Sequence, residues 1–464
     1  MQKLFYDINF LDKRCYEQFK LSEELLMEHA SYALYKFISN KFSKDSSILV
    51  VCGNGHNGAD GITLARLLKN DFNVTLYLDS PPKSKLAKLQ LERADAVNVT
   101  KTDKIEDADI IVDALFGSGL NRALKEQHLK LIQQLNSLSG QKIACDIPSG
   151  LMQDGTLSST VFNADITITM GALKKSLYSD MAKNVTGEIL VANLGLSRSI
   201  YETNSNWNIL DLDDLKLPHR VNKNSHKGTY GHLALLCGDK EGASIIAAKT
   251  ALNFGAGLAT LITHENPQIP YEIMKSSILP ENCSAICAGM GLGNSFGTND
   301  LEDMLLDSKL PLIIDADLFY NPIITKLIKK NSIVITPHPK EFVSLLKHLD
   351  IANIDVDELQ NSRFKYSEEF SKRYPNVVLL LKGANPIIAY KNIFYINPHG
   401  TNNLSKGGSG DVLSGMIGAL LAQGYSALEA TINGSLAHVS AANRVNKNSY
   451  AMTPNDLIEE IACL

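Results

Sequence analysis

Short runs of apolar residues recur along the whole chain and alternate with longer stretches in which apolar residues follow a helical period. This alternation is typical of parallel strands that are joined by helices. Because the runs are continuously apolar, we expect helices to cover both faces of the sheet. The strands predicted in the first half are residues 48–52, 74–78, 109–115, 142–146, 164–169 and 187–192.

A long amphipathic helix is predicted ahead of these strands, in the segment LSEELLMEHASYALYKFISNKF. Ser22 has a side chain that commonly caps helix N-termini. Glu23 and Glu24 would place negative charge in the first turn, where the helix dipole favours it. We therefore expect the helix to begin directly after Ser22.

The apolar pattern lapses between residues 197 and 230, which we interpret as a linker because polar and turn-forming residues dominate there. After the linker, GASIIAAKTALNFGAGLATLI predicts a helix, a glycine turn and a strand, and two helices are predicted to close the chain. No fixed-period repeat is visible, so we expect two unlike α/β domains, residues 1–205 and 215–464. The other predicted strands of the second half are residues 232–238, 285–290, 311–317, 332–337, 377–384 and 392–398.

Composition narrows the class of protein. The 464 residues suffice for two or three domains, and 44% hydrophobic with 20% charged residues is typical of a soluble globular protein. A net charge of -5 without any basic run gives no reason to expect nucleic acid or an anionic membrane as a partner. The N-terminus lacks a signal-peptide pattern, and no stretch approaches the roughly 20 apolar residues of a spanning helix.

The seven cysteines are scattered, and the close pair Cys283 and Cys287 lacks the second pair that a zinc site needs. This pattern favours a reducing, cytoplasmic compartment. Chains of this size with two α/β domains often assemble, so we also expect a homo-oligomer, with the N-terminal helix as one possible contact.

A first glycine loop, CGNGHNGADG, follows the strand at 48–52 and matches G-x-G-x-x-G at Gly53, Gly55 and Gly58. A dinucleotide site of the dehydrogenase type and a ligand-free turn are both open interpretations, and Asp79 lies about where a ribose-binding acid would stand. However, the loop carries polar side chains instead of small apolar ones. They favour a polar catalytic pocket or an oxygen-ligated cation. These side chains belong to Asn54, His56, Asn57 and Asp60.

Two further polar clusters follow predicted strands. In VDALFGSGLNR, Asp113 lies at the end of the strand and a glycine loop follows; CDIPSG carries Asp146 and Ser149 in a sharp turn. Each aspartate alone could be a helix cap or a turn residue. Three clusters at the carboxyl ends of parallel strands favour a common site, because open α/β sheets bind ligands at that edge.

In order and spacing, LMEHA, GNGHNGADG, VDALFGSGL, DIPSG and GALKKSL resemble the NAD(P)H-hydrate epimerase domain. The resemblance implies a Rossmann-like, doubly wound sheet and K⁺ at Asn57, Asp113 and Ser149. It makes Asp146 the candidate base and Lys174 a candidate acid, although from the residues alone Lys174 is expected to lie on the surface. The pocket for the hydrated cofactor would be lined by His56, Asn57, Gly58, Ala59, Asp60, Gly117, Ser118, Gly119, Leu120, Asn121, Arg122 and Ala123. Ala59 stands where the family usually has a glycine.

A second glycine loop, GGSGD, ends in Asp411 at the start of a long apolar helix. Successive glycines expose backbone N–H groups, and the helix N-terminus adds positive partial charge, so the loop favours an anion such as phosphate. Asp411 would then lie beside the phosphate, where it could deprotonate an attacking hydroxyl. The alternative is a glycine-rich cap in which Asp411 only complements the helix dipole.

The loop resembles the phosphate site of the ribokinase superfamily. HKGTYGHLALLCG, AGMGLG, IDADLF, TPHPKE, LLKGAN and GGSGDVLSG together resemble the ADP-dependent NAD(P)H-hydrate dehydratase branch of that fold. The resemblance implies substrate contacts at Ala243, Gly291 or Gly293, His338 and Asp411. It implies nucleotide contacts at Lys382, Gly383, Ala384, Asn385, Pro386, Gly408, Ser409 and Gly410. NPHGTNNLSK is longer than the family's usual stretch, and Ser409 replaces a threonine, so the edge of the nucleotide pocket stays open.

The two resemblances imply a repair route for hydrated NADH and NADPH (NADHX and NADPHX). The first domain would interconvert the R and S hydrates. The second, with ADP and Mg²⁺, would dehydrate the S form and release AMP and phosphate. Asp315, Asp317 and Glu341 are possible helpers or structural residues. A small-molecule kinase and a degenerate binding module are the competing hypotheses.

Overall fold

The computed structural model describes residues 1–464, apart from the side chain of Thr298. Its chain divides into two compact units, the N-terminal unit Gln2–Trp207 and the C-terminal unit Asn208–Leu464. The division falls within the polar segment that the sequence predicts as a linker. Each unit has its own sheet, and each is described by itself.

The N-terminal unit contains nine strands and six helices. The strands are β1 (Gln2–Phe5), β2 (Ser47–Cys52), β3 (Asn73–Leu78), β4 (Thr100–Thr102), β5 (Ile110–Ala114), β6 (Gln141–Cys145), β7 (Ile166–Met170), β8 (Leu173–Lys174) and β9 (Glu188–Ala192). The helices are α1 (Asn9–Glu17), α2 (Glu23–Lys41), α3 (His56–Leu68), α4 (Lys85–Ala96), α5 (Glu126–Ser137) and α6 (Arg198–Tyr201).

Seven strands form a parallel sheet in the order β4-β3-β2-β5-β6-β7-β9. The first six positions have the strand order of a Rossmann fold, whose ligand lies where the order reverses. Here that point lies between β2 and β5, the strands that precede the first two polar clusters. The doubly wound α/β class is therefore confirmed for this unit. Helix α2 also begins as predicted, because Ser22 Oγ accepts the N–H of Leu25 at 3.2 Å.

A short strand, β10 (Trp207–Ile209), spans the division. The later strands are β11 (His232–Leu236), β12 (Leu258–Ile262), β13 (Met274–Ser276), β14 (Ala285–Ala288), β15 (Leu312–Ile314), β16 (Ile333–Ile335), β17 (Val377–Leu381), β18 (Ile387–Tyr390) and β19 (Ile393–Ile396). The helices are α7 (Glu241–Asn253), α8 (Thr298–Leu301), α9 (Ile324–Leu327), α10 (Pro339–His348), α11 (Val356–Asn361), α12 (Arg363–Arg373), α13 (Ser409–Ala422), α14 (Ala427–Arg444) and α15 (Pro454–Ile461).

The sheet of the C-terminal unit runs β13-β12-β11-β14-β15-β16-β17-β18-β19. The strands from β13 to β17 are parallel, and β18 and β19 extend the sheet as an antiparallel hairpin. The order again reverses at one point, between β11 and β14. Helices α7, α13 and α14 pack together over apolar residues of this sheet, among them Leu233, Ile313 and Val378, which are almost fully buried.

Several boundaries differ from the prediction. Three helices close the described chain, α13, α14 and α15, where two are predicted. The prediction lacks six short strands: β1, β4, β8, β10, β13 and β18. Strands β15 and β17 each end three residues earlier than predicted. Beyond β15, Asp315 caps a short 3-10 helix (Ala316–Tyr320), and beyond β17 the chain continues from Lys382 as a loop. The side chains of Asp315 and Lys382 form an ion pair.

Across the described residues, no helix combines the length and apolar character that crossing a bilayer requires. All seven cysteines carry free thiols, and six of them are buried.

Candidate functional site

The loops that follow β2 and β5 touch each other through their backbones. A Cβ atom on Gly58 would lie 1.9 Å from the carbonyl oxygen of Gly53, and one on Gly53 would lie 2.1 Å from that of Leu115. These distances are far inside van der Waals contact, so glycine is required at both positions for packing alone. Gly55, in contrast, has no atom within 4 Å of an added Cβ. The G-x-G-x-x-G match therefore reports a close loop junction and does not by itself indicate a dinucleotide.

Asn57, in the first turn of α3, points into this junction. Its side chain is 8% exposed, and neither polar atom of its amide has a hydrogen-bond partner among the described residues. A Cβ on Gly117 would lie 3.3 Å from Asn57 Cβ and 3.1 Å from Asp146 Oδ2. Buried amides without partners are costly and uncommon. The amide of Asn57 is thus available to a ligand beside Gly117.

Asp113 and Ser149 form a buried pair at the ends of β5 and β6. Ser149 Oγ donates to Asp113 Oδ1 at 2.7 Å, and the N–H of Ser149 donates to Oδ2 at 2.8 Å. The N–H of Phe116 donates to Ser149 Oγ at 3.0 Å. Burial raises the pKa of Asp113 to about 6, and the hydrogen bonds from Ser149 and Leu115 only partly oppose that effect. The pair presents carboxylate and hydroxyl oxygens beside Phe116 and Gly117.

Asp146 holds an ionic hydrogen-bond network next to this pair. Its backbone is left-handed, with φ of 72°, a conformation that costs free energy outside glycine. Oδ2 accepts the N–H of Ser118 at 2.9 Å, and Oδ1 accepts the N–H of Met170 at 3.2 Å. Lys174 Nζ lies 2.6 Å from Oδ1. Burial alone would raise the pKa of Asp146, but the ammonium of Lys174 and these hydrogen bonds lower it below its usual range.

Lys174 corrects one expectation, because it does not lie on the surface. Its side chain is 2% exposed, and besides Asp146 its ammonium donates to Thr169 Oγ1 at 2.8 Å and to the carbonyl of Met170 at 3.0 Å. A buried ammonium is strongly destabilising unless it is paired with an opposite charge and fully hydrogen-bonded. The three acceptors meet that condition.

Two further carboxylates, those of Asp60 and Asp12, interact electrostatically with this ion pair. The sequence predicted a role for Asp60 but none for Asp12. Burial raises the pKa of Asp60 well above its usual range, and the carboxylates of Asp146 and Asp12 add to the effect. Asp12, from α1, accepts the hydroxyl of Tyr201 at 2.7 Å. Asp12 and Tyr201 lie 189 residues apart in the chain. No local pattern could have joined them.

The remaining residues of the predicted pocket differ in exposure. His56 is exposed, with Nε2 3.6 Å from a carboxylate oxygen of Glu23 on α2. In the loop after β5, Leu120 is buried, whereas Gly119 and the residues from Asn121 to Ala123 are exposed. Most of the loop after β5 is therefore open to solvent, whereas the network around Asp146 is buried.

The second glycine loop enters α13 in the C-terminal unit. Gly408 caps the helix with φ of 90°, and a Cβ there would lie 2.5 Å from Pro454 Cγ. A Cβ on Gly410 would lie 3.4 Å from Lys382 Nζ. The first N–H groups of any helix lack acceptors within it. The start of α13 thus combines free N–H groups with a lysine ammonium, as an anion site requires.

Asp411 lies in this first turn of α13. Burial and then the carboxylate of Asp315 raise the pKa of Asp411 to about 6, and Lys382 opposes them. Lys382 Nζ is 2.6 Å from Asp315 Oδ1, and Ser414 Oγ donates to Asp315 Oδ2 at 2.7 Å. Asp315 is 2% exposed and so acts as the buried partner that places Lys382. Arg363 in turn donates to the carbonyl of Lys382 at 3.0 Å.

The predicted substrate contacts after β11 and β14 lie together. A Cβ on Gly291 would lie 3.2 Å from Ala243 Cβ, and both Gly291 and Gly293 have positive φ. Asp317 Oδ2 accepts the N–H of Gly293 at 3.0 Å, so this possible helper fixes the glycine loop.

His338 and Glu341 cap α10. His338 Nδ1 accepts the N–H groups of Lys340 and Glu341, and its Nε2 lies 3.0 Å from Glu341 Oε1. Glu341 is therefore occupied with the helix cap, while the side chain of His338 keeps 46% exposure.

The predicted nucleotide segment follows β17. Gly383 and Ala384 are exposed, whereas Asn385 is buried, and the carbonyl of Pro386 accepts the N–H of Asn397 at 3.0 Å. This segment is the loop between β17 and β18.

Comparisons with known proteins identify the family. A family described as NAD(P)H-hydrate dehydratase matches residues 233–462, and one described as YjeF-related protein N-terminus matches residues 23–176. A bifunctional NAD(P)H-hydrate repair enzyme of Helicobacter pylori is 40% identical over 474 aligned positions, which cover 99% of both chains. One of Coxiella burnetii is 32% identical, covering 91% of both chains.

Among solved structures, an ADP/ATP-dependent NAD(P)H-hydrate dehydratase of Bacillus subtilis, co-crystallised with ATP and Mg²⁺, is 28% identical. It matches 53% of this chain and 92% of its own, with a TM-score of 0.45. The full-length relatives decide the matter: the chain belongs to the family of bifunctional NAD(P)H-hydrate repair enzymes, which combine an epimerase with a dehydratase.

Proposed function

We propose that residues 215–464 dehydrate the S hydrate by phosphoryl transfer from ADP, and that residues 1–205 supply it by epimerising the R hydrate. The observation that carries the dehydratase proposal is the position of Asp411. A carboxylate with a pKa near 6 lies in the same helix turn as the N–H groups that would bind the phosphate. A base of that pKa is ionised at neutral pH and still accepts a proton readily.

In the dehydratase, the β-phosphate of ADP would lie at the loop formed by Gly408, Ser409 and Gly410, where it would accept the N–H groups of the two glycines, with Lys382 beside it. Asp411 would take the proton of the ring hydroxyl as its oxygen attacks phosphorus, and AMP would leave. The ring nitrogen would then expel phosphate, a far better leaving group than hydroxide, and loss of a proton from the neighbouring ring carbon would restore the double bond. The products are the reduced cofactor, AMP and phosphate.

Other contacts would position the two ligands. The loop from Lys382 to Pro386 would hold the remainder of the nucleotide. Ala243, Gly291, Gly293 and His338 would contact the hydrated cofactor. Because Asp315 and Arg363 fix Lys382 from behind, the ammonium is held in place before the nucleotide binds.

In the epimerase, one bond to the carbon that bears the hydroxyl must break and then form again on the opposite face. Asp146, kept ionised by Lys174, would accept a proton. Lys174 would return one, as a buried ammonium directly beside that base. The residues from His56 to Asp60 and from Gly117 to Ala123 would hold the cofactor above this pair.

We propose that Asn57, Asp113 and Ser149 hold K⁺. Each side chain offers an oxygen atom as a ligand, and Oδ1 of Asn57, which has no hydrogen-bond partner among the described residues, would gain a partner by this assignment. When bound, the cation would stabilise the ionised form of Asp113 and join the loops after β2, β5 and β6.

Mg²⁺ is expected to arrive with the nucleotide. Among the described residues, no group of three His, Cys, Asp or Glu side chains could hold a metal ion. Mg²⁺ commonly binds through phosphate oxygens with only one or two carboxylates, so Asp411 and Asp315 suffice as neighbours. Bound there, it would neutralise phosphate charge.

A product assay separates this proposal from the kinase alternative. The protein is incubated with ADP, Mg²⁺ and the S hydrate. We expect the absorbance of the reduced nicotinamide ring to return, with AMP and phosphate formed in equal amounts. A phosphorylated product that keeps the hydrate spectrum would contradict the proposal and favour a kinase. Omitting ADP, or replacing it with ATP, tests the nucleotide preference.

We also propose a cytoplasmic location and a homo-oligomer. Free thiols at all seven cysteines, Cys283 and Cys287 included, support a reducing compartment. Sedimentation of the purified chain measures its assembly, and a monomer at all concentrations would contradict the second point.

A further inference from the structure

The segment that leads from β19 into α13 is folded into turns and tied to the rest of the C-terminal unit. We call residues 401–408 the approach segment. Within it, Asn402–Leu404 forms a short 3-10 helix. The side-chain amide of Asn403 donates to the carbonyl of Ala442 on α14 at 3.4 Å, and Leu404 packs against the apolar core of the unit. The middle of the approach segment is therefore anchored to α14 and to that core.

Ser409, the first residue of α13, closes the approach segment. Its Oγ donates to the carbonyl of Leu404 at 2.7 Å, and its N–H donates to the carbonyl of Lys406 at 3.3 Å. An ionised phosphate oxygen only accepts hydrogen bonds, so its protein contacts must be donors. Both donors of Ser409 are already used by the backbone of the approach segment, although the family resemblance makes this residue a nucleotide contact.

The glycines on either side of Ser409 keep their donors. The N–H groups of Gly408 and Gly410 have no acceptor among the described residues. Gly408 has a left-handed backbone, with φ of 90°, and a Cβ there would lie 2.5 Å from Pro454 Cγ. The backbone at Gly408 is thus packed against Pro454 and tied by Ser409 to the approach segment. A loop that is ordered before binding spares the ligand the entropy cost of ordering it.

We propose that Ser409 is a positioning residue for the nucleotide: by holding the carbonyls of Leu404 and Lys406, it fixes the approach segment against α13 and leaves the N–H groups of Gly408 and Gly410 to the phosphate. This inference rests on the proposed nucleotide site. Ser409 itself does not touch the nucleotide. Its effect is to order the loop before ADP binds.

Three variants of the full chain isolate the hydroxyl of Ser409. Ser409→Ala removes the donor to Leu404. Ser409→Thr keeps a hydroxyl at the same position and should keep the hydrogen bond. Ser405→Ala is the matched control, because it removes the same atom from an exposed serine of the approach segment.

Lys406 allows the order of the loop to be measured without any nucleotide. Its side chain is exposed, and trypsin cleaves after a lysine at a rate that follows local opening of the backbone. Without ADP, we expect Ser409→Ala to speed cleavage between Lys406 and Gly407 about fivefold, the effect of losing one modest hydrogen bond. Ser409→Thr and Ser405→Ala should stay within about twofold of the unsubstituted protein. Mass spectrometry of the fragments identifies this cleavage.

Dehydratase kinetics then connect the loop to the nucleotide. With ADP and the S hydrate varied in turn, we expect Ser409→Ala to raise KM for ADP about fivefold and to leave KM for the hydrate and kcat nearly unchanged. Ser409→Thr should restore KM for ADP. Because only one hydrogen bond is lost, the unfolding temperature of Ser409→Ala should fall by about 3 °C or less.

Several outcomes would overturn the inference. A raised KM for ADP with an unchanged cleavage rate in Ser409→Ala would show that the hydroxyl contacts the nucleotide directly. An unchanged KM for ADP, an equal rise of both KM values, or a Ser409→Thr variant as impaired as Ser409→Ala would also contradict it, as would equal effects of Ser405→Ala and Ser409→Ala. If ADP supported no turnover by the unsubstituted protein and did not protect Lys406 from trypsin, the proposed nucleotide site itself would be wrong. The cleavage rates without ADP distinguish that failure from a failure of Ser409 to hold the loop.

Discussion

The pH dependence of the dehydratase depends on the charges around Asp411. As a base, Asp411 works only when ionised, so kcat/KM should fall as pH drops through about 6. With that pKa, about 0.9 of the groups are ionised at pH 7 and about 0.1 at pH 5, so the rate should fall about tenfold. A carboxyl at its usual pKa would lose less than about a tenth over the same range.

The terminal phosphate of a nucleotide also titrates near pH 6, so the fall of kcat/KM at low pH (the acidic limb of the pH profile) does not by itself identify Asp411. Asp315→Asn separates the two. This substitution removes the carboxylate that raises the pKa of Asp411. It also frees the ammonium of Lys382, which lowers the pKa of Asp411. Both changes act in one direction, so we expect the acidic limb to move to lower pH, while the titration of ADP stays the same. An unmoved limb, or one displaced to higher pH, would refute the assignment of Asp411 as the base.

Three further predictions concern the N-terminal unit. Gly58→Ala should lower the free energy of unfolding of this unit by roughly 1–3 kcal/mol in denaturant, because the new Cβ would overlap the Gly53 carbonyl. Gly55→Ala should lower it far less, because a Cβ there meets nothing within 4 Å. Equal effects of the two substitutions would contradict the packing argument. Lys174→Met should slow epimerisation by about 10²-fold or more and leave dehydration of the S hydrate unchanged, as measured with the separated isomers; a normal epimerase rate would exclude Lys174. The unfolding temperature should be higher in KCl than in NaCl for the unsubstituted protein but not for Asn57→Leu; the same shift in both would argue against the K⁺ site.

The strands could be predicted because both units bury their sheets between helices, which leaves continuous apolar runs. The same rule fails where a strand ends in the site. Asp315 and Lys382 each directly follow an apolar run, and both leave the sheet, where they form an ion pair with each other. Strand β18 escaped prediction because its turn to β19 uses Lys391 and Asn392, both with positive φ. Asparagine commonly takes that conformation, but lysine seldom does.

Residues of the candidate site could be proposed from the sequence where the supporting residues are neighbours in the chain, and not where those residues are distant. The loops at Asn57, Asp113, Asp146 and Asp411 each show their chemistry within a few residues. Lys174, by contrast, was expected on the surface, because its three hydrogen-bond acceptors come from β7 and from the turn after β6 and leave no local pattern around the lysine.

The most direct test of the two-site account begins with the pure R hydrate, ADP and Mg²⁺, and follows the return of the reduced-ring absorbance. We expect the unsubstituted protein to restore it fully, Asp146→Asn to fail with the R hydrate but succeed with the S hydrate, and Asp411→Asn to fail with both. Mixing the two variants should restore activity on the R hydrate. If Asp411→Asn still regenerated the cofactor from the S hydrate, the central claim that this carboxylate drives phosphoryl transfer would be contradicted.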